Sequence, residues 1–352
     1  MLTMIVRKIA ANANATRLRT PTFLIDKSTL PVRLPAQLPT FLATHPPHNI
    51  GFLSLHTTKG FHMLKTSFIT VRAMASGLRH AFQFRTIPWM DRVILIGRGS
   101  MYVSRRDNRG RRILAMAGVT QPKISSLWHA LSAKMMPDVI IDIGANYGEI
   151  AFCTTYSNAT SVHLFEANPY LEKYLQQSIR SRPDSGIFHL HMCAASSSVG
   201  IVSLTIDKKW SGTSSLVGEI GDSIFKGSGE GQFERAEVSS IPIDTVVNCA
   251  SKTLLFKMDV EGWEINVLSG MSRLLTESKS FAGIVEFDER HLARAGGSAK
   301  ELRHSLSRYG KVYLSKDFLP TYDEDLPPHG DFLVLKNIDL SQLRSCGSKR
   351  PI

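Results

Sequence analysis

Apolar and polar positions keep no clean period over residues 1–60, where Pro21, Pro31, Pro35, Pro39, Pro46 and Pro47 oppose helix and central strand alike. Residues 61–90 set Phe61, Leu64, Phe68, Val71, Met74 and Leu78 at roughly helical spacing, which predicts one amphipathic helix. From residue 91 the texture changes. Val93–Ile96 and Met101–Ser104 predict short strands joined through Gly97-Arg98-Gly99, and Asp107-Asn108-Arg109-Gly110 predicts a turn. Residues 121–134 predict a helix carrying Ile124, Leu127, Trp128 and Leu131, with Pro122 near its start.

Strands and helices then alternate. Strands are expected at Val139–Ile143, Ser161–Phe165, Ile187–Met192, Leu254–Met258 and Gly283–Phe287. Helices are expected from Ile150, over Leu171–Arg180, from Trp263 to about Leu275 and over Ala299–Tyr309. Residues 200–240 read as irregular around a hairpin at Val202–Ile206, and Lys311–Leu314 with Phe332–Leu335 suggest an antiparallel closing pair. This alternation predicts an α/β domain with a mostly parallel sheet and helices on both faces. The expected organisation is a basic arm over 1–90, a hairpin and helix over 91–136, the main domain over 137–340 and a tail over 341–352.

Charge separates the arm from the rest. Of the net +12, residues 1–90 supply +10, with eleven Lys/Arg against the single acid Asp26. The basic signal therefore says little about what the remaining residues bind. The arm reads in three ways: a poorly ordered segment, an organelle-directing leader, or an upstream extension of a chain that starts at Met63 or Met74. Cys153, Cys193, Cys249 and Cys346 form no CxxC pair and no zinc-like spacing, which favours a reducing compartment. No apolar run reaches transmembrane length. A cytoplasmic protein is expected, with organelle targeting left open.

The most informative window is DVIIDIGANYGEIAF, residues 138–152. An apolar strand ends in Asp142, and Gly144 and Gly148 frame a turn into a helix, the layout of a nucleotide site at the carboxyl edge of a parallel sheet. Glu166 closes the next strand at a spacing suited to a carboxylate that accepts ribose hydroxyls. An acid before the first glycine disfavours a diphosphate and suits a cofactor with a cationic amino-acid end, which points to S-adenosylmethionine. A second window, residues 254–271, gathers Lys257, Asp259 and Glu261 where the crevice of such a sheet opens. A third, GIVEFDERHL, brings Glu286, Asp288, Glu289 and His291; a solvated charge run is its bland reading.

In this order, DVIIDIGANYGE, VHLFEANP, AASSSVG, IPIDTV, FKMDVEGWEINVLSGM and IVEFDERH resemble the FkbM-type methyltransferases over about residues 91–340. The resemblance implies a Rossmann-like class I methyltransferase fold, a seven-stranded sheet with a reversed last strand, and O-methylation of a sugar, glycan or small-molecule natural product. It implies that Asp142, Gly144, Asn146 and Gly148 line the methionine end of the cofactor, that Glu166 holds the ribose, and that Ala194 and Ala195 sit near adenine. Residues 210–216 resemble a loop over the substrate mouth, which makes Trp210 and Ser214 substrate candidates.

A hydroxyl acceptor needs a general base, and Asp259, then Glu261 and Glu286, are the candidates, with His291 weaker. Lys257 would orient the acids or the substrate, and no metal is required. Two rivals are a nucleic-acid methyltransferase and a non-catalytic cofactor-binding relative. The first lacks an Asn/Asp-Pro-Pro-aromatic tetrapeptide and any Pro-Cys pair; the second is disfavoured by retention of both sets of acids. A nicotinamide-dependent oxidoreductase is a third class.

Overall fold

The computed structural model describes residues 91–156, 161–217, 232–314, 319–320 (backbone) and 326–339. The chain divides into units 1–64 and 65–352, and every described residue lies in the second. The helix expected over 61–90 falls outside the described residues.

Two short strands, β1 (Arg92–Leu95) and β2 (Gly99–Tyr102), form an antiparallel hairpin. The segment expected to turn at 107–110 is instead the start of a helix, α1 (Asn108–Ala115). Asp107 caps it by accepting from Arg109 N. Gly110, which suggested a turn, lies inside the helix, and an added Cβ there would meet the Ser104 carbonyl oxygen, so glycine serves close packing here rather than a bend. Helix α2 (Pro122–Met135) leads into β3 (Val139–Ile143), and α3 (Glu149–Phe152) follows the glycine turn. Next come β4 (Ser161–Phe165), α4 (Glu172–Arg180), β5 (Phe188–His191) and β6 (Ala194–Ala195).

The region expected to be irregular around a small hairpin holds two long strands, β7 (Gly200–Asp207) and β8 (Phe233–Ile241), paired antiparallel. Then follow β9 (Thr253–Met258), α5 (Glu264–Gly270), α6 (Ser272–Glu277) and β10 (Ser280–Asp288), so the single helix expected over 263–275 is two. The charge run after β10 is a helix, α7 (Glu289–Arg294), capped by Asp288. The described order ends with α8 (Ala299–Ser307), β11 (Lys311–Leu314), β12 (Leu319–Pro320) and β13 (His329–Lys336).

The main sheet runs β12-β11-β13-β10-β9-β3-β4-β5. Strands β10, β9, β3, β4 and β5 pair in parallel, while β13 is antiparallel to both β10 and β11. The last strand is therefore the reversed one, and the fold is the Rossmann-like arrangement expected, with a two-residue β12 ladder added at the edge. A separate sheet, β6-β8-β7, flanks it.

Two apolar clusters cover the two faces. Val139, Ile141 and Ile143 of β3 pack with Val267, Leu274 and Leu302 from α5, α6 and α8. Ile140, on the opposite face, packs with Trp128, Phe152 and Leu175 from α2, α3 and α4. Period-two alternation thus turns Asp142 toward the α3 face. The chain leaves β3 toward β4 on one side and returns to β9 on the other, which opens a crevice at the carboxyl ends of β3, β4 and β9. No helix among the described residues is long and apolar enough to cross a membrane.

Candidate active site

The crevice is a cleft of about 200 Å³. Of the residues expected from sequence, it is lined by Gly144, Asn146, Glu166, Ala194, Ala195, Trp210, Ser214, Asp259, Glu261 and Glu286. Asp142, Gly148 and Lys257 do not line it. Asp142 and Lys257 lie behind its wall, lining a smaller cavity with Gly144 and Asp259.

The glycine turn is shaped by backbone contact. Gly144 has φ +74°, and an added Cβ would stand 1.9 Å from the Asp259 carbonyl oxygen, so this glycine lets the ends of β3 and β9 approach. Gly148, φ +78°, makes room for the Phe152 ring, which an added Cβ would meet at 2.3 Å. Between them Asn146 takes a left-handed conformation at φ +50°, tolerable for Asn because its side chain hydrogen-bonds locally. Its Oδ1 accepts from Tyr147 N at 3.0 Å and its Nδ2 donates to Ser211 Oγ at 3.2 Å.

Glu166 projects from the end of β4. One carboxylate oxygen accepts from Asn146 N at 2.7 Å and the other from Asn168 N at 2.8 Å. Burial pushes its carboxyl up to about 7, against these two N–H donors. Each oxygen keeps a further lone pair for a ligand hydroxyl. Ala194 and Ala195, both buried, form an apolar wall with Phe165, Cys193 and Leu204.

Asp142 is 1% exposed and accepts from Ala151 N at 3.3 Å. Its other oxygen has no hydrogen-bond partner and lies 3.9 Å from Lys257 Nζ. Burial raises its carboxyl while Lys257 lowers it. This acid faces a lysine across paired strands, with Asp142 opposite Lys257 in the β3–β9 register. A cation therefore already stands beside the acid expected to meet the cofactor's cationic end.

Behind the cleft wall Lys257 Nζ donates to Asp259 Oδ2 at 3.1 Å. Burial alone would lower the lysine, yet Asp259, Asp142 and Glu286 push it up. Burial would likewise raise Asp259, but Lys257 holds it below the usual carboxylate range. Glu286 hydrogen-bonds to Asp259, and the charge of Asp259, then burial, pushes its carboxyl to about 10. At neutral pH the two share one proton, with Asp259 the ionised member. Glu261, left-handed at φ +53°, accepts from His291 Nδ1 at 2.6 Å, and burial raises its carboxyl.

Trp210 and its neighbours Ser211 to Ser214 close the cleft from the β7 side. The Ser214 hydroxyl is buried without a partner. The Arg112 guanidinium stands 6.0 Å from the Trp210 ring.

Sequence reasoning missed the residues that α1 contributes. Arg109 lines the cleft and donates to Glu149 Oε2 at 3.1 Å. Asp107 accepts from Ser211 Oγ at 2.6 Å and from Tyr147 Oη at 2.8 Å, tying the 91–110 segment to the loop over the mouth. An Asp followed by Ile113 and Leu114 is the local cap signal that could have found this helix.

Residues 142–313 match the family model described as the Methyltransferase FkbM domain. Among solved structures the chain is similar to methyltransferase FkbM from Methylobacillus flagellatus, at 17% identity and TM-score 0.37, covering 64% of this chain and 53% of that one. It is also similar to the mitomycin 7-O-methyltransferase MmcR, at 13% identity and TM-score 0.33 over 65% of this chain and 57% of that one. A third is precorrin-6y C5,15-methyltransferase from Geobacter metallireducens, at 10% identity and TM-score 0.31 over 62% and 87%. The chain spans about half the length of the FkbM structure it matches. No curated protein matches it.

Proposed function

We propose that the domain at residues 142–313, which matches the FkbM methyltransferase model, uses S-adenosylmethionine to methylate a hydroxyl of a sugar, glycan or small-molecule natural product. The observation that carries this reading is one cleft with two differently tuned carboxyl groups. Glu166, pinned by two backbone N–H groups, marks one wall, and the one-proton pair of Asp259 and Glu286 marks another.

The residues present fit that cofactor. Glu166 offers free lone pairs to a ribose diol, and the Ala194–Ala195 wall offers a flat apolar surface to adenine. The glycine turn at Gly144 and Asn146 would take the methionine end. When bound, the cofactor supplies a methyl group on a sulfonium for in-line displacement by an acceptor oxygen.

The chain's own residues orient the acceptor and move its proton. Asp259, ionised beside Lys257, takes the hydroxyl proton; Glu286, protonated, donates a hydrogen bond to Asp259 and holds its carboxylate at the cleft wall. Lys257 holds the pair in place from behind the wall. Trp210 gives a sugar face a surface to stack on. Positioning of this kind can lower the barrier by up to about 7–11 kcal/mol in well-oriented cases.

The test is transfer of labelled methyl from S-adenosylmethionine to hydroxylated acceptors, with Asp259→Asn beside the native chain. The expected result is turnover cut by about 10²–10⁴, with S-adenosylhomocysteine affinity within a few fold. A near-normal rate moves the base to Glu261 or Glu286. Transfer only to amines sinks the hydroxyl reading.

A further inference from the structure

Among the described residues lining the cleft, Arg109 is the single cation. It comes from α1, outside the segment that matches the family model. We propose that Arg109 is a cofactor-binding residue that holds the α-carboxylate of the methionine end; this rests on the S-adenosylmethionine reading above.

The placement is set by Glu149, which is 4% exposed. Its carboxylate accepts from Thr120 N, from Thr120 Oγ1 at 2.6 Å, from Gln121 N at 3.0 Å and from Arg109 Nη2 at 3.1 Å. Four donors saturate that carboxylate. One edge of the guanidinium is thereby anchored, and its remaining donors are left to other partners. Arg109 Nε is one of them: it is buried and has no hydrogen-bond partner. Such a donor is costly to leave unpaired, and the guanidinium that carries it lines the cleft, where a carboxylate would meet it in the planar geometry that a guanidinium favours.

The position on the glycine turn picks out which carboxylate. Arg109 lines both the main cleft and the small cavity beneath it, together with Gly144 and Asn146. Asn146 also gives its N–H to Glu166. A ligand whose diol rests on Glu166 and whose chain crosses Asn146 presents its far end to Arg109. Apart from the Cys193 thiol, which burial pushes up to about 11, the other ionisable groups lining the cleft are carboxyl groups, so an anionic end has this one place to go.

The test compares S-adenosylhomocysteine with 5′-methylthioadenosine, which keeps the adenosine and thioether but lacks the amino-acid end, by calorimetry on the full chain. In Arg109→Gln, S-adenosylhomocysteine should bind about 10- to 100-fold more weakly, the range for hydrogen bonds to a charged group. Methylthioadenosine should bind within about twofold of the native chain, which also shows that the variant is folded. Arg109→Lys, which keeps the charge beside Glu149, should lie between. Equal losses for both ligands would make Arg109 a structural residue and overturn the proposal. Unchanged S-adenosylhomocysteine affinity with a raised KM for the acceptor would assign the arginine to an acceptor anion instead. Native protein that binds neither ligand would remove the cofactor reading itself.

Discussion

Replacing Lys257 by Met tests whether the charges behind the cleft form one electrostatic unit. Lys257 Nζ stands 3.1 Å from Asp259 Oδ2 and 3.9 Å from Asp142 Oδ1, and its side chain is 7% exposed. At those distances each attraction is about 4–5 kcal/mol at an effective dielectric of about 20, before the opposing cost of desolvation. Methionine keeps much of the volume and removes the charge. What remains is an Asp142 that is 1% exposed, with one oxygen lacking any hydrogen-bond partner, and an Asp259 without its cation. Breaking a buried pair by removing one partner costs about 3–5 kcal/mol. For a domain of this size each kcal/mol moves Tm by about 2–4 °C, so a fall of about 6–20 °C is expected.

The pH dependence has a definite sign. Without Lys257 both carboxyls should titrate above their ordinary value of 3.8 in the folded state. The folded variant then holds protons more tightly than the unfolded chain, so it regains stability as pH falls. Urea unfolding of both proteins at pH 8 and pH 5 should show the penalty shrinking at the lower pH. A loss under about 1 kcal/mol, or one equal at both pH values, would refute the coupling.

Glu166, pushed up to about 7 by burial, should bind S-adenosylhomocysteine more tightly as pH rises from 6 to 8, because the ionised form accepts the diol; Glu166→Gln should weaken binding by about 10-fold or more and flatten that profile on calorimetry. His163, lowered to about 3 by burial and by His189 and His191, contributes stability that is present above 6.5 and lost as pH falls toward 3. His163→Gln should therefore lose less stability than the native chain between pH 7 and 4.5 in urea titrations. Gly144→Ala should destabilise by roughly 2–5 kcal/mol, from a left-handed non-glycine residue plus a Cβ against the Asp259 carbonyl; a neutral effect in the same titration would mean that the β3–β9 approach is loose.

The parts of the fold that sequence made legible are those governed by local pattern. β3 reads as a strand because Val139–Ile143 is apolar and buried on both faces, with only Asp142 polar. Glu166 was legible because it ends the next strand, and the strand order then carries it to the crevice. The partners of Asp142 and Glu149 were not legible. Asp142 meets Lys257 only because β9 returns beside β3, a consequence of topology across more than a hundred residues. Glu149 gathers Arg109 from a helix that the sequence suggests is a turn, since Gly110 marks close packing on Ser104 rather than a bend, and Thr120 and Gln121 from just before α2. Where a side chain answers to its neighbours in sequence, pattern suffices. Where it answers to another strand or a preceding segment, the fold has to be known first.

The central claim is that the cleft takes an adenosyl sulfonium cofactor, and thermal unfolding with separate ligands tests it most directly. S-adenosylmethionine or S-adenosylhomocysteine at about 100 times its dissociation constant should stabilise the chain by about 2.7 kcal/mol, while NAD should leave it unchanged. A shift with NAD and none with either adenosyl compound would contradict the account.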